Sequence, residues 1–155
     1  MKLAIIIEGV QNSGKTSTIL HFVNQYQNRT LKQLRAGWQN LFINASVFST
    51  LRIIPYIISS SPSESGVELG QRFQNYKGLP DILILAEQLN GKHQLDTEAF
   101  LINNGYNIIK HQINNINGSS DWERFDKSNK LVKLTNRSNE IMLDITSFIK
   151  NNNII

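Results

Sequence analysis

The chain has 155 residues, 40% hydrophobic and 18% charged, with a net charge of +4, which is the composition of one globular domain and not of a disordered segment. It has no cysteine, so disulfides, thiolate metal sites and cysteine nucleophiles are excluded. The Lys and Arg residues are scattered, without a run or aromatic interleaving, which favours a basic enzyme surface over a nucleic-acid face.

Leu3–Ile7 is a continuous β-branched apolar run, as expected of a strand buried on both faces of a parallel sheet. It is too short for a signal core and is ended by Glu8, and no stretch is long enough to span a membrane, so a soluble, cytoplasmic protein is expected. A glycine-bounded turn follows. Lys15–Gln27 then reads as a helix with Ile19, Leu20, Phe22, Val23 and Tyr26 on one side. Leu31–Val47 fits either a hairpin or a short helix, and its aromatic Trp38–Phe42 part is expected to be exposed. Leu51–Ser59 reads as a strand in which Pro55 marks an edge or bulge, and Ser59–Ser65 as a loop.

Residues 66–76 carry apolar side chains at helical spacing up to the break at Gly78-Leu79-Pro80. Ile82–Ala86 is a second buried strand. A helix around Asp96–Asn103 and a strand at Tyr106–Ile113 follow, then a loop at Asn114–Ser120. Lys130–Leu134 reads as a last short strand and Ser138–Lys150 as an amphipathic helix, with a tail that frays. The expected fold is α/β: one domain over residues 1–155, a three-layer αβα sandwich on a mostly parallel sheet of about five strands.

The turn between the first strand and helix, Gly9-Val10-Gln11-Asn12-Ser13-Gly14-Lys15-Thr16, matches G-x-x-x-x-G-K-[ST] at every fixed position. Gly9 is expected to let the chain turn off the strand, and Gly14 to adopt dihedrals that a Cβ would penalise. Backbone N–H groups of residues 12–16, reinforced by the helix dipole, suit an anionic phosphate. With strand before and helix after, IIIEGVQNSGKTST at residues 5–18 resembles the P-loop NTPase superfamily. The resemblance implies a phosphate cradle from Gly9 through Ser17, with Lys15 on the β- and γ-phosphates of ATP and the Thr16 hydroxyl on Mg²⁺. Lys15 is expected to be exposed and without a packing role.

The resemblance also implies an acid at the carboxyl end of a buried strand, holding Mg²⁺ or polarising water. Glu87 follows ILILA at the ligand-bearing end. Asp81 lies at the other end and reads as a turn residue, while Glu8 and Glu64 are alternatives to Glu87. The three histidines, His21, His93 and His111, are dispersed along the chain and read as surface residues.

A guanine reader of the form N/T-K-x-D is absent. Thr135-Asn136-Arg137-Ser138 lacks both Lys and Asp, which leaves ATP, with Asn136 or Arg137 near the base. Three functions fit. One is a small ATPase or switch with a protein partner. Another is a small-molecule or nucleotide kinase, with 119–130 as a lid bearing Arg124 and Lys127 toward a phosphoryl acceptor. The last is a non-enzymatic nucleotide-binding module presenting Trp38–Phe42 to a partner.

Overall fold

The structure, a computed structural model, describes residues 1–46, 49–113 and 122–152. The first strand, β1 (Lys2–Gly9), is buried along almost its whole length, and α1 (Lys15–Gln27) follows the glycine turn. The ambiguous stretch resolves into strands: β2 (Gly37–Trp38), then β3 (Leu41–Ser46), which pairs antiparallel with β4 (Ser49–Ile53) as a separate two-stranded ribbon. Beyond Pro55 comes β5 (Tyr56–Ile58).

The single strand expected over Leu51–Ser59 is therefore two, in different sheets. Proline has no N–H to give a ladder, so the chain changes sheet where pairing would fail. The Pro55 carbonyl still accepts a hydrogen bond from the Gln39 amide at 2.9 Å.

The expected loop at Ser59–Ser65 contains α2 (Pro62–Ser65), a single turn with proline in its first turn. The Ser61 hydroxyl caps it by accepting from the Glu64 amide at 3.1 Å. Next come α3 (Leu69–Phe73), β6 (Ile82–Gln88), α4 (Gln94–Asn103), β7 (Tyr106–Ile113) and α5 (Lys130–Asn151).

The short strand expected at Lys130–Leu134 is instead the first turn and a half of α5. The alternation in KLVKL mimics a strand, but Leu131 and Val132 are both solvent-exposed. Leu134, Ile141, Ile145 and Phe148 continue one buried helical stripe. The loop expected at 114–120 and the last three residues of the tail lie outside the described residues.

The five-stranded sheet runs β2-β5-β6-β1-β7, parallel except for the β2–β5 pair. This is a mixed α/β sheet with β1 between β6 and β7. Strand periodicity sends Leu3, Ile5, Ile7, Ile84 and Ala86 to one face, where they pack with Ile19 and Phe22 of α1 and Ile141 and Ile145 of α5. Ala4, Ile6, Leu83 and Leu85 face the other way, against Leu69 and Phe73 of α3 and Leu101 of α4. Both faces of the central strands are covered, which explains why those strands read as unbroken apolar runs. Among the described residues no helix is long and apolar enough to cross a membrane.

Candidate functional site

The carboxyl ends of β1 and β6 open into a cleft of about 820 Å³. Residues 11–17 form its floor, Ser63 and Glu64 of α2 one wall, and Gln88 of β6, Arg124 and Phe125 the rest.

Gly9 ends β1 in pairing register with Gln88 and Ile113. The chain also approaches closely there, since a Cβ at Gly9 would sit 2.3 Å from the Ser13 Oγ. The loop curls back on its own strand at that point, and a side chain there would displace the Ser13 hydroxyl. Gly14 fulfils the expectation of unusual dihedrals: φ is +99°, in the left-handed region that favours glycine, and a Cβ would meet the Phe125 ring at 2.8 Å. Asn12 also has positive φ, at 61°. The amides of Lys15, Thr16 and Ser17 open α1 and have no acceptor within the helix, so they are donors available to an anion.

Lys15 departs from expectation. It is buried, donates to the Val10 carbonyl at 2.8 Å, and lies 3.5 Å from the Glu64 carboxylate. The loop thus wraps around its own lysine. Thr16 is exposed, and its hydroxyl donates to the Ser59 carbonyl at 3.0 Å, which leaves the oxygen lone pairs directed elsewhere. Ser13 is buried, and its hydroxyl has no hydrogen-bond partner among the described residues. Val10 is exposed and does not line the cleft.

The acids sort by strand parity. Gln88 shares the parity of Ala86 and enters the cleft. Glu87 shares that of Leu83 and Leu85 and projects on the α4 side, away from Lys15 and Thr16. Glu8 is on the same side, paired in register with Glu87.

Glu8 accepts from Gln94 at 2.9 Å and Gln112 at 3.0 Å, with Lys110 at 3.7 Å. Glu87 is fully buried. Burial raises its pKa to about 7, helped by the charges of Glu8 and Glu98 and opposed by Thr97 and the backbone at Gln88. The acid brought to the lysine is Glu64, from the capped turn α2. Asp81 stays at the far end of the sheet, where its carbonyl accepts from the Leu3 amide.

Behind the loop stands Arg137. Asn136 and Arg137 were expected after a last strand, but that strand is α5, and Arg137 projects from the helix into the interior. It donates to the Thr18 hydroxyl at 2.9 Å and to the Glu123 carbonyl, and it lies over the rings of Phe125 and Trp122 at 5.3 and 5.4 Å. Burial lowers its pKa to about 10, so it stays cationic at neutral pH. Arg137 therefore fixes the 122–125 segment against α1. In the expected lid, Arg124 reaches the cleft and Lys127 does not line it.

Phe125 was not anticipated, although an aromatic next to Arg124 in a lid segment was a signal for it. The histidines are not simple surface residues. His111 stacks on Trp122 at 4.4 Å and pairs with Asp144 at 2.5 Å. His93 converges with Glu68 and Asp96, their ligand atoms all within 4.8 Å of one another. His21 is partly buried, which lowers its pKa.

Comparison with protein-family models, curated proteins and solved structures finds no match.

Proposed function

We propose that the chain is a P-loop NTPase of αβα sandwich architecture that binds ATP with Mg²⁺ and acts as a small ATPase or nucleotide-dependent switch. The observation that carries the reading is the turn from β1 into α1. A left-handed Gly14, a lysine enclosed by its own loop, and the first-turn amides of a 13-residue helix, which have no acceptor within that helix, meet at the carboxyl end of a central parallel strand. A chance sequence match would not need this geometry.

The residues fit the nucleotide phosphates and the metal. The amides of residues 12–16 would hold the β-phosphate, and Lys15 would exchange the Val10 carbonyl for β- and γ-phosphate oxygens. Thr16 keeps its proton on the Ser59 carbonyl and so presents a lone pair, as a metal ligand must. Mg²⁺ held there would neutralise charge developing on the phosphates. Glu64, beside Lys15, is the acid available to orient a water or a metal-bound water. Glu87, set on the opposite face of β6, would act on the site only through the packing of β6 against β1.

A second reading, a small-molecule or nucleotide kinase, is favoured by Arg124 lining the cleft beside the glycine loop, since a cationic segment there suits a transferring phosphoryl group.

Titration calorimetry with ATP–Mg²⁺, GTP–Mg²⁺ and ATP in EDTA, on the wild type and on Lys15→Ala and Thr16→Ala, tests the proposal. Binding of ATP–Mg²⁺ that Lys15→Ala abolishes, and that loses its Mg²⁺ dependence in Thr16→Ala, is expected. Equal binding by wild type and Lys15→Ala would overturn it. Phosphate release with and without nucleoside acceptors separates hydrolysis from transfer.

A further inference from the structure

Cations and acids are unevenly distributed along the sequence. From residue 9 to residue 63 the chain contains no Asp or Glu, while it carries Lys15, Arg29, Lys32, Arg35 and Arg52. Lys15 belongs to the P-loop. The other four lie in the connection after α1 and on the β3–β4 ribbon, and all four are exposed. Among the described residues none of the four is in an ion pair. Two of them, Arg29 and Arg52, come together beside the ribbon, within a stretch of sequence that carries none of the twelve acids.

These two arginines line a second groove, of about 460 Å³, which shares no residue with the P-loop cleft. Two large aromatic rings stand in it half exposed, Trp38 at 49% and Phe42 at 50%. Trp38 is held edge-on against buried Tyr56, with ring centroids 5.3 Å apart, so its position is set from below while its outer surface stays open. Phe42 lies directly across the ribbon from Arg52 in the β3–β4 register, and Arg29 closes the groove from the end of α1. Gln39 and Asn40 also line the groove.

We propose that this groove binds single-stranded nucleic acid, with bases stacking on Trp38 and Phe42 and phosphates on Arg29 and Arg52. Aromatic faces serve any unpaired base, and guanidinium groups serve the backbone. A duplex keeps its bases stacked on each other and cannot offer them to the rings. An acidic peptide would satisfy the arginines but leave the rings exposed to water.

The test is fluorescence anisotropy on the full chain with labelled oligothymidylate and oligouridylate of about twenty nucleotides, a duplex of the same length, and polyglutamate as a competitor. Tighter binding of the single strands than of the duplex, with no effective competition by polyglutamate, is expected. Trp38→Ala and Phe42→Ala should each weaken binding about fivefold or more, and Trp38→Phe should recover most of the loss. Arg29→Gln with Arg52→Gln changes only exposed side chains and spares the fold; it should reduce the slope of log affinity against log salt by about 1.4. Lys15→Ala should bind like the wild type, which separates this surface from the nucleotide cleft. No single-strand binding, preference for the duplex, displacement by polyglutamate, or wild-type affinity in folded Trp38→Ala would each overturn the proposal.

Discussion

Glu87 and Gly14 show how one side chain, or its absence, sets local energetics. Glu87 is fully buried, and its folded pKa of about 7 lies above its ordinary value of 4.5. The folded state therefore binds more protons than the unfolded chain across that window, and stability falls as pH rises from about 4.5 to about 7. The loss amounts to at most roughly 3–4 kcal/mol and is complete about a unit above pH 7. Glu87→Gln keeps the shape of the protonated acid. Its stability relative to wild type should rise through the same window, as measured by urea unfolding at several pH values; a difference that does not vary with pH would contradict the shift. Gly14→Ala places a Cβ at positive φ and against Phe125. A cost of about 1–3 kcal/mol is expected in denaturant titrations, together with loss of nucleotide binding, because the loop must open to relieve the contact.

At the scale of elements, the central strands and the caps carry different shares of stability. Ile84 of β6 is fully buried between β1 and the α1–α5 layer, so Ile84→Ala should cost about 2–5 kcal/mol. Leu143 of α5 is 64% exposed, and Leu143→Ala should change stability by no more than about 0.5 kcal/mol. Chemical denaturation of the pair distinguishes a core strand from the outer face of a helix; equal costs would place the core elsewhere. The single turn α2 depends on its cap, since four residues are too few to hold a helix by themselves. Ser61→Ala should cost about 1 kcal/mol and loosen Glu64 from Lys15. The expected kinetic signature is a change in phosphate release larger than the change in ATP affinity.

For the whole molecule, a ligand that binds only the folded state stabilises it by mass action. At a hundredfold excess over its dissociation constant, ATP–Mg²⁺ should add about 2.7 kcal/mol, which for a chain of this length is a rise in melting temperature of about 5–10 °C. Thermal denaturation with ATP, with GTP and without nucleotide measures it; no shift with any nucleotide would remove the basis of the proposed function. The same experiment with an oligonucleotide added should give a second, independent shift, because the two grooves share no residue.

Local sequence determined the elements whose patterns are long and continuous. The runs LAIII and ILILA can be buried only in the middle of a sheet covered on both faces. The G-x-x-x-x-G-K-[ST] pattern carries its own backbone requirements, and α1 and β7 have the bounds their periodicity predicts. Tertiary structure decided what depends on partners distant in sequence. KLVKL has an alternation that fits a strand, but burial of Leu134 in line with Ile141 makes it helix. Pro55 marks a break in either reading, and only the sheets on its two sides show that the chain changes from one to the other. Which acid meets Lys15 is likewise a tertiary fact. Strand parity turns Glu87 away from the cleft, and a serine-capped turn 49 residues beyond the lysine brings Glu64 to 3.5 Å from it. Burial patterns are written into neighbouring residues, whereas the meeting of side chains from separate elements is set by sheet order, which no local pattern encodes.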